Sequence, residues 1–139
     1  MALHLYRRDF RPSAALERPY AMAGLNVFAA DTDAEAEHLA SSQQQAFVAL
    51  RTGQPRQLPP PVENYRDTLG DQGRAILDHV LQCSAVGSPA TVARGLAAFV
   101  ERTGVDEVMV ASAVYDHGLR KRSLAITADA VRELPAVAA

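Results

Sequence analysis

The chain has 139 residues, 48% hydrophobic and 22% charged, with 14 Lys and Arg against 16 Asp and Glu. This is one domain's worth of chain, with enough length to bury a core but less than the about 200 residues that a complete (β/α)₈ barrel needs at the least. A net charge of −2 lacks the basic footprint of a nucleic-acid binder, and one cysteine cannot form an internal disulfide.

Ala2–Phe10 reads as a short helix, with Leu3, Tyr6 and Phe10 recurring along one face. It has no continuous apolar run of the kind a signal peptide carries, and no stretch of the chain reaches membrane-spanning length. A cytoplasmic protein with no membrane partner is the expectation. Tyr20–Ala30 is apolar apart from Asn26, which suggests a strand buried on both faces. Thr32 and Glu35 then match a capping box, and Ala36, Leu39, Ala40, Ala46, Phe47 and Leu50 mark the core face of a helix over 33–52 that Gly53 stops.

Residues 54–64 hold four of the eight prolines and form an extended loop, read as a stiff connector rather than a partner-binding motif. Asp71–Gln82 is a helix with Ile76, Leu77, Val80 and Leu81 as its stripe, and Cys83–Val86 is a short strand that buries the cysteine. Ser88 and Pro89 open a further helix with Val92, Leu96, Phe99 and Val100 inward, ended by Gly104. Val105–Ser112 is a third strand, and Asp116 caps a last helix running to about Glu133. Strands alternating with helices imply an α/β fold with a parallel sheet. Its apolar faces and open edges predict self-association.

Few side chains announce chemistry. Asp31, Asp33 and Glu35 open like a calcium loop, but Ala36 stands where that loop needs Gly and Ser42 where it needs Glu. His4, His38, His79 and His117 have no ligand spacing, with His38 and His79 placed on helix surfaces, so no metal site is assigned. The nucleophile elbow and the Gly-rich nucleotide loops are missing, and no catalytic residue can be named. Gly87 and Ser88 lead from a strand into a helix whose first amides could hold a phosphate, although a plain helix cap is the commoner use of Ser88. Arg120, Lys121 and Arg122 oppose the dipole of the last helix; solvated surface charge is their ordinary role, with an anionic partner or a carboxylate of another subunit as the alternative.

Taken in order, YRRDFRPS (6–13), GLNVFAADTDAEAEHLASSQQQAF (24–47), LPPPVENY (58–65), CSAVGSPATVARGL (83–96), GVDEVMVAS (104–112) and YDHGLRKRS (115–123) resemble the C-terminal part of the luciferase-like flavin-dependent monooxygenases. Gly118 and Leu124 depart from the Ala and Tyr usual in the terminal segment. The resemblance implies a partial (β/α) barrel of about three parallel strands, the C-terminal part of a TIM barrel. It also implies an ancestral activity that uses reduced FMN and O₂ to oxygenate an organic substrate. Flavin contacts in such enzymes come largely from earlier strands, so FMN is expected for the intact family rather than for this chain alone, with Gly87 and Ser88 as the candidate cofactor-facing residues. The implied partner is a complementary barrel half or a second copy of the chain. The alternative is a non-catalytic dimeric binding module derived from the same scaffold.

Overall fold

The structure, a computed structural model, describes residues 2–132. Helix α1 (Ala2–Asp9) precedes strand β1 (Met22–Ala29), helix α2 (Asp33–Arg51) and helix α3 (Asp71–Val80). Strand β2 (Ser84–Gly87), helix α4 (Pro89–Thr103), strand β3 (Glu107–Ala111) and helix α5 (His117–Arg132) follow. The expected end of the last helix at Glu133 lies outside the described residues.

The strands form one parallel sheet in the order β2-β1-β3. Consecutive barrel strands would run β1-β2-β3; here β1 is central, and the chain crosses from one side of it to the other between β2 and β3. Alternation along β1 sends Leu25, Val27 and Ala29 to one face, where they pack with Val92, Leu96 and Phe99 of α4 and Ile126 of α5. Phe28 and Ala30 point to the other face, under Ala36, Leu39 and Ala40 of α2. Three parallel strands are thus flanked by helices on both faces, which is why β1 reads as an almost unbroken apolar run.

Sequence-level caps hold in part. Thr32 Oγ1 accepts from the Glu35 amide at 3.2 Å, and Gly104 closes α4 in the left-handed conformation at φ 57° with its amide on the Val100 carbonyl. The core face of α2 does not extend as far as the pattern suggests. Ala36, Leu39 and Ala40 are buried, but Leu50 is exposed, and Ser41, Ser42, Gln44 and Gln45 are buried instead. The reason is the Pro-rich loop, which lies across that part of the helix. Ser41 Oγ accepts from the Val62 amide at 2.8 Å and Gln45 Nε2 donates to the Pro60 carbonyl at 2.9 Å. A loop with few amides of its own needs such side-chain partners.

Cys83 also departs from expectation. The strand starts one residue later, at Ser84, and Cys83 sits exposed in a 3₁₀ turn over Leu81–Cys83. The turn ends α3 and leaves the thiol outside the sheet.

Candidate functional site

Ligands of open parallel sheets bind beyond the carboxyl ends of the strands, at the point where the strand order reverses. In this chain that edge gathers Ala30 and Asp31 after β1, Gly87 and Ser88 at the end of β2, Ser112 after β3, and the first turns of α2, α4 and α5.

The two sequence candidates occupy a tight corner of it. Gly87 has φ 147°, and a Cβ there would lie 2.6 Å from both Asp33 Oδ1 and Thr91 Cγ2, so only glycine fits. Ser88 is the N-cap residue of α4 by backbone conformation, but its hydroxyl lies 3.2 Å from Thr91 Oγ1 and makes no bond to a helix amide. The anion at this helix start is instead the Asp33 carboxylate, which accepts from the Ser88 amide at 2.6 Å. Hydrogen bonds from the Ser88 backbone and side chain and from Thr91 hold the Asp33 carboxyl below its usual pKa. Asp33 thus joins the first turn of α2 to the first turn of α4. A phosphate placed on the same amides would meet that carboxylate.

Between the ends of β1 and β3 stands a second pair. Arg122 on α5 reaches Asp31 at 2.6 and 2.5 Å, and this contact raises the pKa of the guanidinium. Asp116 Oδ1 accepts from the Leu119 amide at 2.8 Å and offsets the basic first turn of α5, while Arg120 contacts His117 Nδ1 at 2.7 Å. The carboxylate facing Arg122 therefore belongs to this chain. Asp31, Asp33 and Glu35 do not converge as a calcium loop would: Asp31 turns to α5 and Asp33 to α4.

Below this edge, Ser123 Oγ is fully buried and accepts from the Ala29 amide at 2.9 Å. No residue pattern marked Asp33, Asp31 or Ser123 for these roles, because each partner lies more than fifty residues away in sequence.

A separate cleft of about 290 Å³ opens on the side of α2 turned from the sheet, bordered by Glu37, His38, Gln44, Glu63, Tyr65 and Arg66. His38 Nδ1 lies 3.0 Å from Glu63 Oε1, poorly aligned for a hydrogen bond, and burial raises the Tyr65 pKa. His79 is exposed on α3. Among the described residues, no group of three or more His, Cys, Asp or Glu side chains could hold a metal ion, and no helix is long and apolar enough to cross a membrane.

No protein-family model matches the chain. It is 44% identical over 133 residues to a protein of Escherichia coli K12 named luciferase-like monooxygenase, covering 96% of this chain and 40% of that protein. It is equally 44% identical over 128 residues to the uncharacterized protein YvbT of Bacillus subtilis, covering 92% and 38%. Among solved structures, apo-MsnO8 superposes with a TM-score of 0.74 at 27% identity, over 96% of this chain and 41% of that one. The chain spans about two-fifths of the length of the relatives it matches, and over that span it is similar to proteins named luciferase-like monooxygenase.

Proposed function

We propose that this chain supplies the C-terminal segment of a flavin-dependent oxygenase, working with reduced FMN and O₂ only when joined to the front portion of the barrel. The observation that carries the reading is the collinear match over nearly the whole chain to only two-fifths of a luciferase-like monooxygenase. The local chemistry supports the dependence on a front portion. The one helix start that sequence reasoning offered to a flavin phosphate already carries the Asp33 carboxylate, so the residues present do not fit that group, and no catalytic step is assigned to them. In this reading the flavin contacts come from the front portion, and this chain contributes a rigid wall and the closing strands.

A chimera tests it: the matched region of the Escherichia coli relative is replaced by this chain, and FMN binding is followed by fluorescence quenching. The expected result is micromolar FMN binding by the chimera and none by this chain alone. Binding by the isolated chain would overturn the dependence on a front portion. A folded chimera that binds no FMN, beside a relative that does, would overturn the flavin reading itself.

A further inference from the structure

The cleft on the outer side of α2 has walls fixed by the protein's own bonds. Ser41 Oγ donates to the His38 carbonyl at 2.6 Å and accepts from the Val62 amide at 2.8 Å, while Gln45 Nε2 donates to the Pro60 carbonyl at 2.9 Å. These bonds hold the proline loop along the helix, and a wall already in place costs a ligand little ordering. At about 290 Å³ the cleft is near the small end of ligand pockets, which run from roughly 300 to 1,000 Å³. Its charge is one-sided. Glu37 borders it from α2, Glu63 from the loop and Asp67 from the 3₁₀ turn over Tyr65–Thr68. The guanidinium on its border, Arg66, is paired with Asp78 on α3. His38 gives Glu63 no well-aligned hydrogen bond, so that exposed carboxylate keeps its acceptor sites. Gln44 lines the cleft and is only 4% exposed. The one hydrogen bond its side chain makes among the described residues is long, from Nε2 to Glu37 Oε2 at 3.3 Å, which leaves Oε1 as an open acceptor on a buried carboxamide.

We propose that this cleft binds a small primary amine in its ammonium form, with the ammonium on Glu37 and Gln44 Oε1 and the apolar stem against Val62 and Tyr65. Glu37 and Gln44 are close enough for one ammonium group to reach both, and its three N–H donors match a surface that offers acceptors. A hydrogen bond to a charged group is also stronger than the long one that Gln44 makes within the chain. Tyr65 adds an aromatic ring, which attracts cations through its face, and Val62 adds an exposed apolar side chain. A bare metal ion fits less well, since no group of three or more His, Cys, Asp or Glu side chains among the described residues could hold one. An anion would meet three carboxylates. The site lies away from the carboxyl ends of the strands and does not depend on the flavin reading.

The test is a nitrogen–proton NMR titration of the 139-residue chain with n-butylammonium chloride at neutral pH. Two comparators isolate the chemistry: n-butanol has the same stem without charge, and tetramethylammonium has the charge without N–H donors. The expected result is a saturable set of shifts on the Gln44 side-chain amide and the backbone amides of residues 62–67. They should be absent with n-butanol and need about tenfold more tetramethylammonium. Glu37→Gln, on an exposed side chain, should weaken binding by about tenfold. Gln44→Met keeps the length of the side chain without its acceptor and should weaken binding by about fivefold, with circular dichroism to check the fold; if that variant does not fold, Glu37→Gln decides. Glu101→Gln, an exposed carboxylate on α4, removes the same charge away from the cleft and should change nothing. Shifts that do not saturate, an equal response to n-butanol, or a Glu101→Gln loss as large as that of Glu37→Gln would each overturn the proposal. Tetramethylammonium binding as tightly as n-butylammonium would overturn it too, since the N–H donors would then play no part.

Discussion

Replacing Ser123 by alanine removes one oxygen atom, and the structure makes that atom expensive. β3 ends at Ala111, opposite Asn26, while β1 continues to Ala29. Beyond Asn26 the side of β1 that faced β3 has no strand to accept from it, and Ser123 Oγ on α5 takes that place by accepting the Ala29 amide at 2.9 Å. Both residues are buried, Ser123 completely, so water cannot substitute. Ser112 Oγ, at 3.4 Å from Ser123 Oγ, is too far from ideal to add much. Leaving a buried amide unsatisfied costs about 1–3 kcal/mol, against about 0.5–1.5 kcal/mol for an ordinary exchange of a hydrogen bond with solvent. Ser123→Ala should therefore lower stability by about 2 kcal/mol, or the melting temperature by roughly 5–10 °C for a chain of this size. Urea unfolding followed by circular dichroism measures it, with the midpoint expected to fall at unchanged slope. Ser112→Ala is the companion and should cost below about 0.5 kcal/mol, as surface-like changes do. A Ser123→Ala loss no larger than that of Ser112→Ala would refute the view that α5 completes the β1 ladder.

Three further outcomes follow from the same geometry. Gly87→Ala should destabilise by about 2–5 kcal/mol, since φ 147° and a 2.6 Å approach to Asp33 and Thr91 add strain to overpacking; the denaturation midpoint checks it. Leu77→Ala should cost about 2–5 kcal/mol, because Leu77 is the buried residue of α3 and fully enclosed. Limited proteolysis should then cut first in the segment 54–80. Asp33 has a depressed folded pKa, so its contribution is present above the ordinary carboxylate pKa of about 4 and is lost as pH falls through the lower folded value. Asp33→Asn should flatten the acid limb of the stability profile in that window, and an acid limb as steep as the parent's would argue against the Asp33–Ser88 link.

Periodicity and caps place the α-helices and strands of the described residues to within a few residues, the end of α5 apart, because β1 is apolar on both faces and α2, α3 and α4 carry clear starts or stripes; the 3₁₀ turn at Tyr65–Thr68 carries no such signal. What they left out was the order of the strands and the content of the site. Nothing local in Val105–Ser112 says on which side of β1 it pairs; that follows from α4 packing on the Leu25–Val27 face and α2 on the Phe28 face. Ser41, Ser42, Gln44 and Gln45 are polar yet buried, and of these Ser41 and Gln45 satisfy an amide and a carbonyl of the proline loop, a long-range pairing that no local pattern shows. Gly87 and Ser88 were legible as a strand-to-helix turn. That the turn holds Asp33 was not, because a carboxylate four residues past the end of one strand looks like an ordinary first-turn acid.

Strand order also decides where substrate chemistry could be sited. A central β1 with β2 on one side and β3 on the other puts the reversal point between the ends of β1 and β3, beside Asp31 and Arg122, rather than at the Gly87 turn. Both groups are charged, exposed and satisfied by one another, so a ligand carboxylate or phosphate could exchange with Asp31 at Arg122 without burying a new charge. At Gly87 the same exchange would have to expel Asp33 from a bond that joins two helices. If this chain's edge takes an anionic group other than the flavin, Arg122→Ala should therefore weaken its retention while Ser88→Ala leaves it unchanged, as measured by titration of inorganic phosphate into the chimera. The reverse pattern would return the Gly87–Ser88 turn to the centre of the site.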